Sequence, residues 1–140
     1  MTDGPNPSRK RPTIRGVMIA LLDPVEGREH EFEKWYEEVH LPDTLEVEGF
    51  LSAIRLEFTD VTLLPGVCFD QFRYMTMYEL DCEDEAGFER AAERLRQTFF
   101  GGVNVDHSRA AEVSTRSRSD AMGSAKIAFL RVLSTRPAVR

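Results

Sequence analysis

Residues 32–43 read FEKWYEEVHLPD, and the fold turns on what this stretch does. Phe32, Trp35, Tyr36 and Val39 recur at spacings of three, four and seven, the apolar stripe of an amphipathic helix. The helix is expected to start near Gly27 and to stop at His40, because Pro42 disfavours a helical conformation at Leu41. Pro42 then opens a second short helical turn through about Val47.

Working outward, residues 14–22, IRGVMIALL, are apolar on both alternating sets, as suits a strand covered on both faces. After Gly49, residues Phe50, Ser52, Ile54, Leu56 and Phe58 alternate with Leu51, Ala53, Arg55 and Glu57, the pattern of a second strand. A loop carrying Pro65-Gly66 leads to a third strand over about 72–80, where Tyr74, Thr76 and Tyr78 share one face and Met75 and Met77 the other. Asp84 and Glu85 mark a helix start, and Phe88, Ala91, Ala92, Leu95 and Phe99 trace its stripe. A last strand covers Lys126 to Leu133.

The order β-α-β-β-α-β is the split βαβ arrangement, an α+β ferredoxin-like fold with both helices on one face of an antiparallel sheet. The other face would expose Phe50, Ile54 and Phe58, or their alternates, so a partner sheet is its natural cover and a homodimer is expected. Residues 1–13 are expected to be a flexible tail and 14–135 one domain with a long inserted segment at 100–125. That segment reads as a lid, as an extra strand near Ala111 to Thr115 pairing with a partner subunit, or as disorder.

Composition narrows the classes. The 140 residues are 41% hydrophobic and 30% charged, ordinary values for a globular domain, and no apolar run reaches the roughly 18 residues of a membrane span. No signal-peptide core precedes the first strand, and a cytoplasmic protein without membrane contact is expected. A net charge of −6 argues against nucleic acid as partner, the Arg9-Lys10-Arg11 run being too short to reverse it. Cys68 and Cys82 lie in no metal or disulfide pattern.

The same stretch that sets the first helix holds the chemistry. Tyr36 and His40 are four apart on one helix face, with Phe32 a turn back. His40 is expected in the last helical turn, where the macrodipole favours a cation, with Asp43 close enough in sequence to pair with it. So placed, it could act as a general acid or donate to a developing oxyanion. The competing reading makes His40 a helix cap held by Asp43. His107, beside Asp106, is either a lid residue entering the pocket or a solvated loop histidine, and His30 is a solvated one. His40, His107, Asp43 and Asp106 offer metal donors without a recognised ligand spacing, so no metal is expected, and no nucleotide-binding or serine-hydrolase motif occurs.

The string from Phe32 to Asp43, with Val47-Glu48-Gly49-Phe50 and Arg55, resembles the W-Y-x-x-x-H-L-P-D … G-F … R pattern of EthD-like proteins in the dimeric α/β barrel superfamily. The resemblance covers about 14–99 and the last strand, and the long segment at 100–125 departs from it. It implies a ferredoxin-like protomer, a dimer through the sheets and a pocket between sheet and helices, with His40 at the position most often suggested as acid/base. Superfamily members include isomerases, cyclases, dehydratases, cofactor-free monooxygenases and haem-handling enzymes. The expectation is a cofactor-independent lyase, dehydratase or isomerase acting on a small apolar oxygenated molecule, aromatic, lactone or polyketide-like. His40, Asp43 and Tyr36 are its candidate catalytic residues, and Phe32, Trp35, Arg55, Tyr74, Tyr78 and His107 its candidate substrate contacts. A cofactor-free monooxygenase and a non-catalytic ligand-binding or structural dimer stay open as alternatives.

Overall fold

In a computed structural model of the chain, residues 15–69, 71–100 and 119–139 are described. The tail at 1–13, His107 and the proposed strand at 111–115 lie outside them. The elements are β1 (Arg15–Pro24), α1 (Glu29–Trp35), a π-helical turn (Tyr36–His40), α2 (Leu41–Leu45), β2 (Phe50–Glu57), β3 (Tyr74–Asp81), α3 (Glu85–Phe100) and β4 (Met122–Arg131). The strands form one antiparallel sheet in the order β2-β3-β1-β4. The split βαβ order is therefore present, with β1 and β3 central, as their two-sided apolar patterns require.

Side-chain alternation divides the sheet into two faces. Met18, Ala20 and Leu22 of β1 and Thr76, Tyr78 and Leu80 of β3 are buried on the face that also packs Phe32, Tyr36, Phe88 and Ala91 of the helices. Gly49, at φ +100°, turns the chain into β2, a conformation open to glycine at little cost. Pro65-Gly66, with Gly66 at φ +78°, makes the turn closed by the Leu64–Val67 bridge. Asp84 Oδ1 accepts the Gly87 N–H at 3.0 Å, capping α3 where the acidic pair predicts its start.

Three expectations need correction. Helical backbone does not stop at His40: Leu41 keeps φ −63° and ψ −50°, and α2 follows without a break. Pro42 has no N–H, and its ring would crowd the carbonyl four residues back in a regular helix. The wider π turn accommodates it, with the Leu41 N–H reaching the Tyr36 carbonyl five residues back. Second, β2 carries a register shift between Phe50 and Ser52, which leaves Phe50 buried against Tyr78 instead of on the exposed face. Third, β4 begins at Met122, not Lys126, and so shortens the connection from α3.

Candidate functional site

A cavity of about 180 Å³ lies between the helices and the sheet, with His40, Tyr36, Thr44 and Tyr78 in its wall. Met18, Leu22, Leu95, Phe99, Met122 and Ile127 supply most of the apolar remainder. Ile127 is 59% exposed on the helix-facing side of the edge strand β4, so that flank of the wall is open.

The π turn builds the polar side of this cavity. In a regular helix, positions 36 and 44 would differ by about 80° around the axis; one extra residue in the turn reduces this to about 20°. Phe32, Tyr36, His40 and Thr44, spaced by fours, thus form one row, with all but half-buried His40 buried. The His40 ring stacks on Trp35 at 4.8 Å between centroids and tilts against Tyr36 at 5.1 Å and Phe99 at 5.3 Å. The Thr44 hydroxyl donates to the His40 carbonyl at 2.9 Å. Because the helix runs on to Leu45, neither the last-turn macrodipole argument nor the capping reading applies to His40.

A second polar group completes the floor. Tyr36 Oη lies 2.7 Å from Thr76 Oγ1 and 3.0 Å from Tyr78 Oη. Burial pushes both phenol pKa values up: for Tyr36 the Thr76 and Tyr78 hydroxyls and Arg55 oppose it, whereas for Tyr78 the neighbouring Tyr36 reinforces it. Both therefore stay protonated at neutral pH.

The other candidates divide. Phe32 is fully buried and packs on Trp35, Tyr36 and Tyr74, serving the core behind the cavity. Asp43 sits half-buried in the first turn of α2 and Tyr74 half-buried on β3; neither lines the cavity. Arg55 does not line it either. Its guanidinium bonds Glu33 at 2.7 and 2.8 Å and Glu37 at 3.1 Å, and lies 4.8 Å from the centre of the Tyr36 ring. The expected anion-binding arginine is thus held by two helix carboxylates, with only its buried Nε lacking a hydrogen-bond partner. Sequence reasoning passed over Thr44, whose signal was the four-residue spacing continuing past Pro42, and Thr76, which shares its face with Tyr78.

A wider depression of about 430 Å³ lies near Glu29 and Phe58, away from His40, and Asp23 at its edge accepts the Arg73 N–H at 2.8 Å. Among the described residues no group of three His, Cys, Asp or Glu side chains gathers as a metal site, and no helix is long and apolar enough to cross a membrane.

No protein-family model and no curated protein matches the sequence. Solved structures do. A candidate monooxygenase from Shewanella loihica matches over 89% of this chain and 100% of its own, at 15% identity and a TM-score of 0.50. A NIPSNAP family protein from Agrobacterium tumefaciens matches over 91% and 94%, at 12% identity and a TM-score of 0.51. An EthD family protein from Bacillus halodurans matches over 82% and 97%, at 15% identity and a TM-score of 0.46. At such identities the likeness is one of fold. The chain has an α+β ferredoxin-like fold.

Proposed function

We propose that the protein binds a small, largely apolar, oxygenated molecule in the cavity beside His40 and acts on it by proton transfer, as a lyase, dehydratase or isomerase that needs no cofactor. The carrying observation is the cavity itself: about 180 Å³, apolar over most of its wall, with His40, Tyr36 and Tyr78 together on one side. Such a site orients a ligand by shape and leaves one or two groups to exchange protons with it. His40 is the acid/base in this reading, with Asp43 as its orienter from the next turn. The working unit is a homodimer formed through the helix-free face of the sheet, as the fold type implies, and a cytoplasmic location suits it.

Recovery of the bound small molecule by mass spectrometry after purification from the native host supplies the substrate for a turnover assay. In that assay His40→Ala should lose roughly 10²–10⁴-fold in turnover while the protein stays folded, the usual contribution of positioned proton transfer. Near-native turnover would remove His40 from the mechanism, and recovery of the molecule unchanged would favour a carrier. The candidate monooxygenase among the structural neighbours motivates a second arm: stoichiometric dioxygen uptake would favour oxidative chemistry in the same cavity.

A further inference from the structure

The buried hydroxyls beside the cavity form one chain, and its far end gives it a direction. A carbonyl oxygen can only accept, so the Thr44 hydroxyl spends its one hydrogen on the His40 carbonyl at 2.9 Å. Tyr78, whose phenol pairs with the Thr44 hydroxyl, must then donate to it. Tyr36 in turn donates to Tyr78 at 3.0 Å, and Thr76 donates to Tyr36 at 2.7 Å. Every hydroxyl hydrogen from Thr76 to Thr44 is used, and all of them point along the chain toward His40. Hydrogen bonds aligned in this way polarise one another, so each link strengthens the next.

The closed chain leaves the phenols with no hydrogen to give a ligand, and burial keeps both protonated. Among the described residues that line the cavity, His40 is then the one that exchanges protons near neutrality. The chain also ends on the backbone of that same residue. Thr44 and Thr76, 1% and 0% exposed, thereby tie the π turn to β3 out of reach of water. The tie falls where the helix is weakest, since Pro42 has no N–H to give the turn before it.

We propose that Thr44 is the positioning residue of His40: as the last link of a one-way hydroxyl chain, it fixes the turn that carries the imidazole and leaves that imidazole to serve alone as acid and base. This rests on the reading of His40 as the proton-transfer group. Thr44 acts through the His40 carbonyl, and the direction of the chain makes its two ends unequal. Loss of Thr76 removes only the first donor and leaves every other link made. Loss of Thr44 removes the anchor itself and strands the Tyr78 hydrogen.

Proton NMR of the full chain tests this without a ligand. The His40 ring stacks on Trp35 at 4.8 Å, so the indole ring current should move the imidazole carbon-bound protons upfield of those of free histidine. The signal is assigned by its loss in His40→Gln. In Thr44→Val it should move toward the free-histidine position, and in Thr44→Ser, which restores the hydroxyl, it should stay where the wild-type signal lies. Thr76→Val makes the same replacement at an equally buried site and should leave the signal in place. Should Thr44→Val fail to fold, Thr44→Ala, which cannot clash, reads the same shift. An unmoved signal in the folded Thr44 variant would overturn the proposal, and so would a Thr76→Val signal displaced as far as that of Thr44→Val, because packing rather than a directed chain would then hold the ring. None of these outcomes depends on turnover, so near-native turnover of His40→Ala would end the acid/base reading while leaving the anchor standing.

Discussion

The two faces of the sheet present opposite solutions to one problem. On the covered face, Met18, Ala20, Leu22, Thr76, Tyr78 and Leu80 meet the helices, and even the hydroxyls of Thr76 and Tyr78 find partners there. On the other face, Ile54 and Leu56 of β2 and Leu130 of β4 stand 41–55% exposed, flanking Val17, Ile19 and Leu21 of β1 and Met75 and Met77 of β3, which are only half-buried. One chain's helices finish the first face and leave room for a cavity. The second stays apolar and open, and burying it is worth about 25 cal/mol per Å². The cavity and the open apolar surface thus lie on opposite sides of the same strands.

The largest expected effect tests the open face. Ile54, midway along the edge strand β2, pairs with Met77 and is 55% exposed, so Ile54→Lys would bury a charge in any sheet-to-sheet contact that covers β2. Sedimentation of the wild-type protein should give about twice the 16.0 kDa chain mass, and the variant should run at the chain mass with its far-ultraviolet dichroism unchanged. A variant that stays dimeric would assign the interface to another surface.

A smaller effect tests how closely the covered face is packed. A Cβ built on Gly16 would press into the Phe88 ring and come within 3.0 Å of Cys82 Sγ. Gly16→Ala should therefore cost about 1–3 kcal/mol in urea unfolding, the usual toll of overpacking, although alanine suits a strand better than glycine. A neutral outcome would mean that α3 sits loosely enough on β1 for Phe88 to move aside.

The division into faces was legible in the sequence, because alternation in β1 and β3 and the helical stripes of Phe32 and Phe88 are local patterns. The site was half legible. Tyr36 and His40, four apart, share a helix row as their spacing predicts, and both line the cavity with Tyr78, which the sequence placed only on a strand face. What the sequence hid depends on contacts far apart along the chain. Tyr36 meets Thr76 and Tyr78 across 40 and 42 residues, and Glu33 meets Arg55 across 22. The π turn was hidden for another reason: proline rules describe regular helices, and its clue was the row 32-36-40-44, which a 3.6-residue period does not keep in line. Phe50 was misplaced because one bulge reverses the facing of every residue before it.

The smallest effect concerns the seam between the cavity and the outside, where Arg55 binds Glu33. The hydrogen bond from Arg55 holds the Glu33 carboxyl below its ordinary value, with burial opposing. A folded-state value below the unfolded one means that the pair stabilises the protein fully above the ordinary glutamate range, near pH 4.3, and that this contribution fades as the pH drops through the lowered folded value. Glu33's side chain is 38% exposed, so solvent screening keeps the contribution under about 1 kcal/mol. Urea midpoints measured from pH 5 downward should fall more steeply for the wild-type protein than for Arg55→Gln. In that variant Glu33 and Glu37, four residues apart on one helix, repel each other while charged, and protonation relieves the strain instead of breaking a bond. Equal slopes would mean that the Arg55 pair is no stronger in the folded chain than in water.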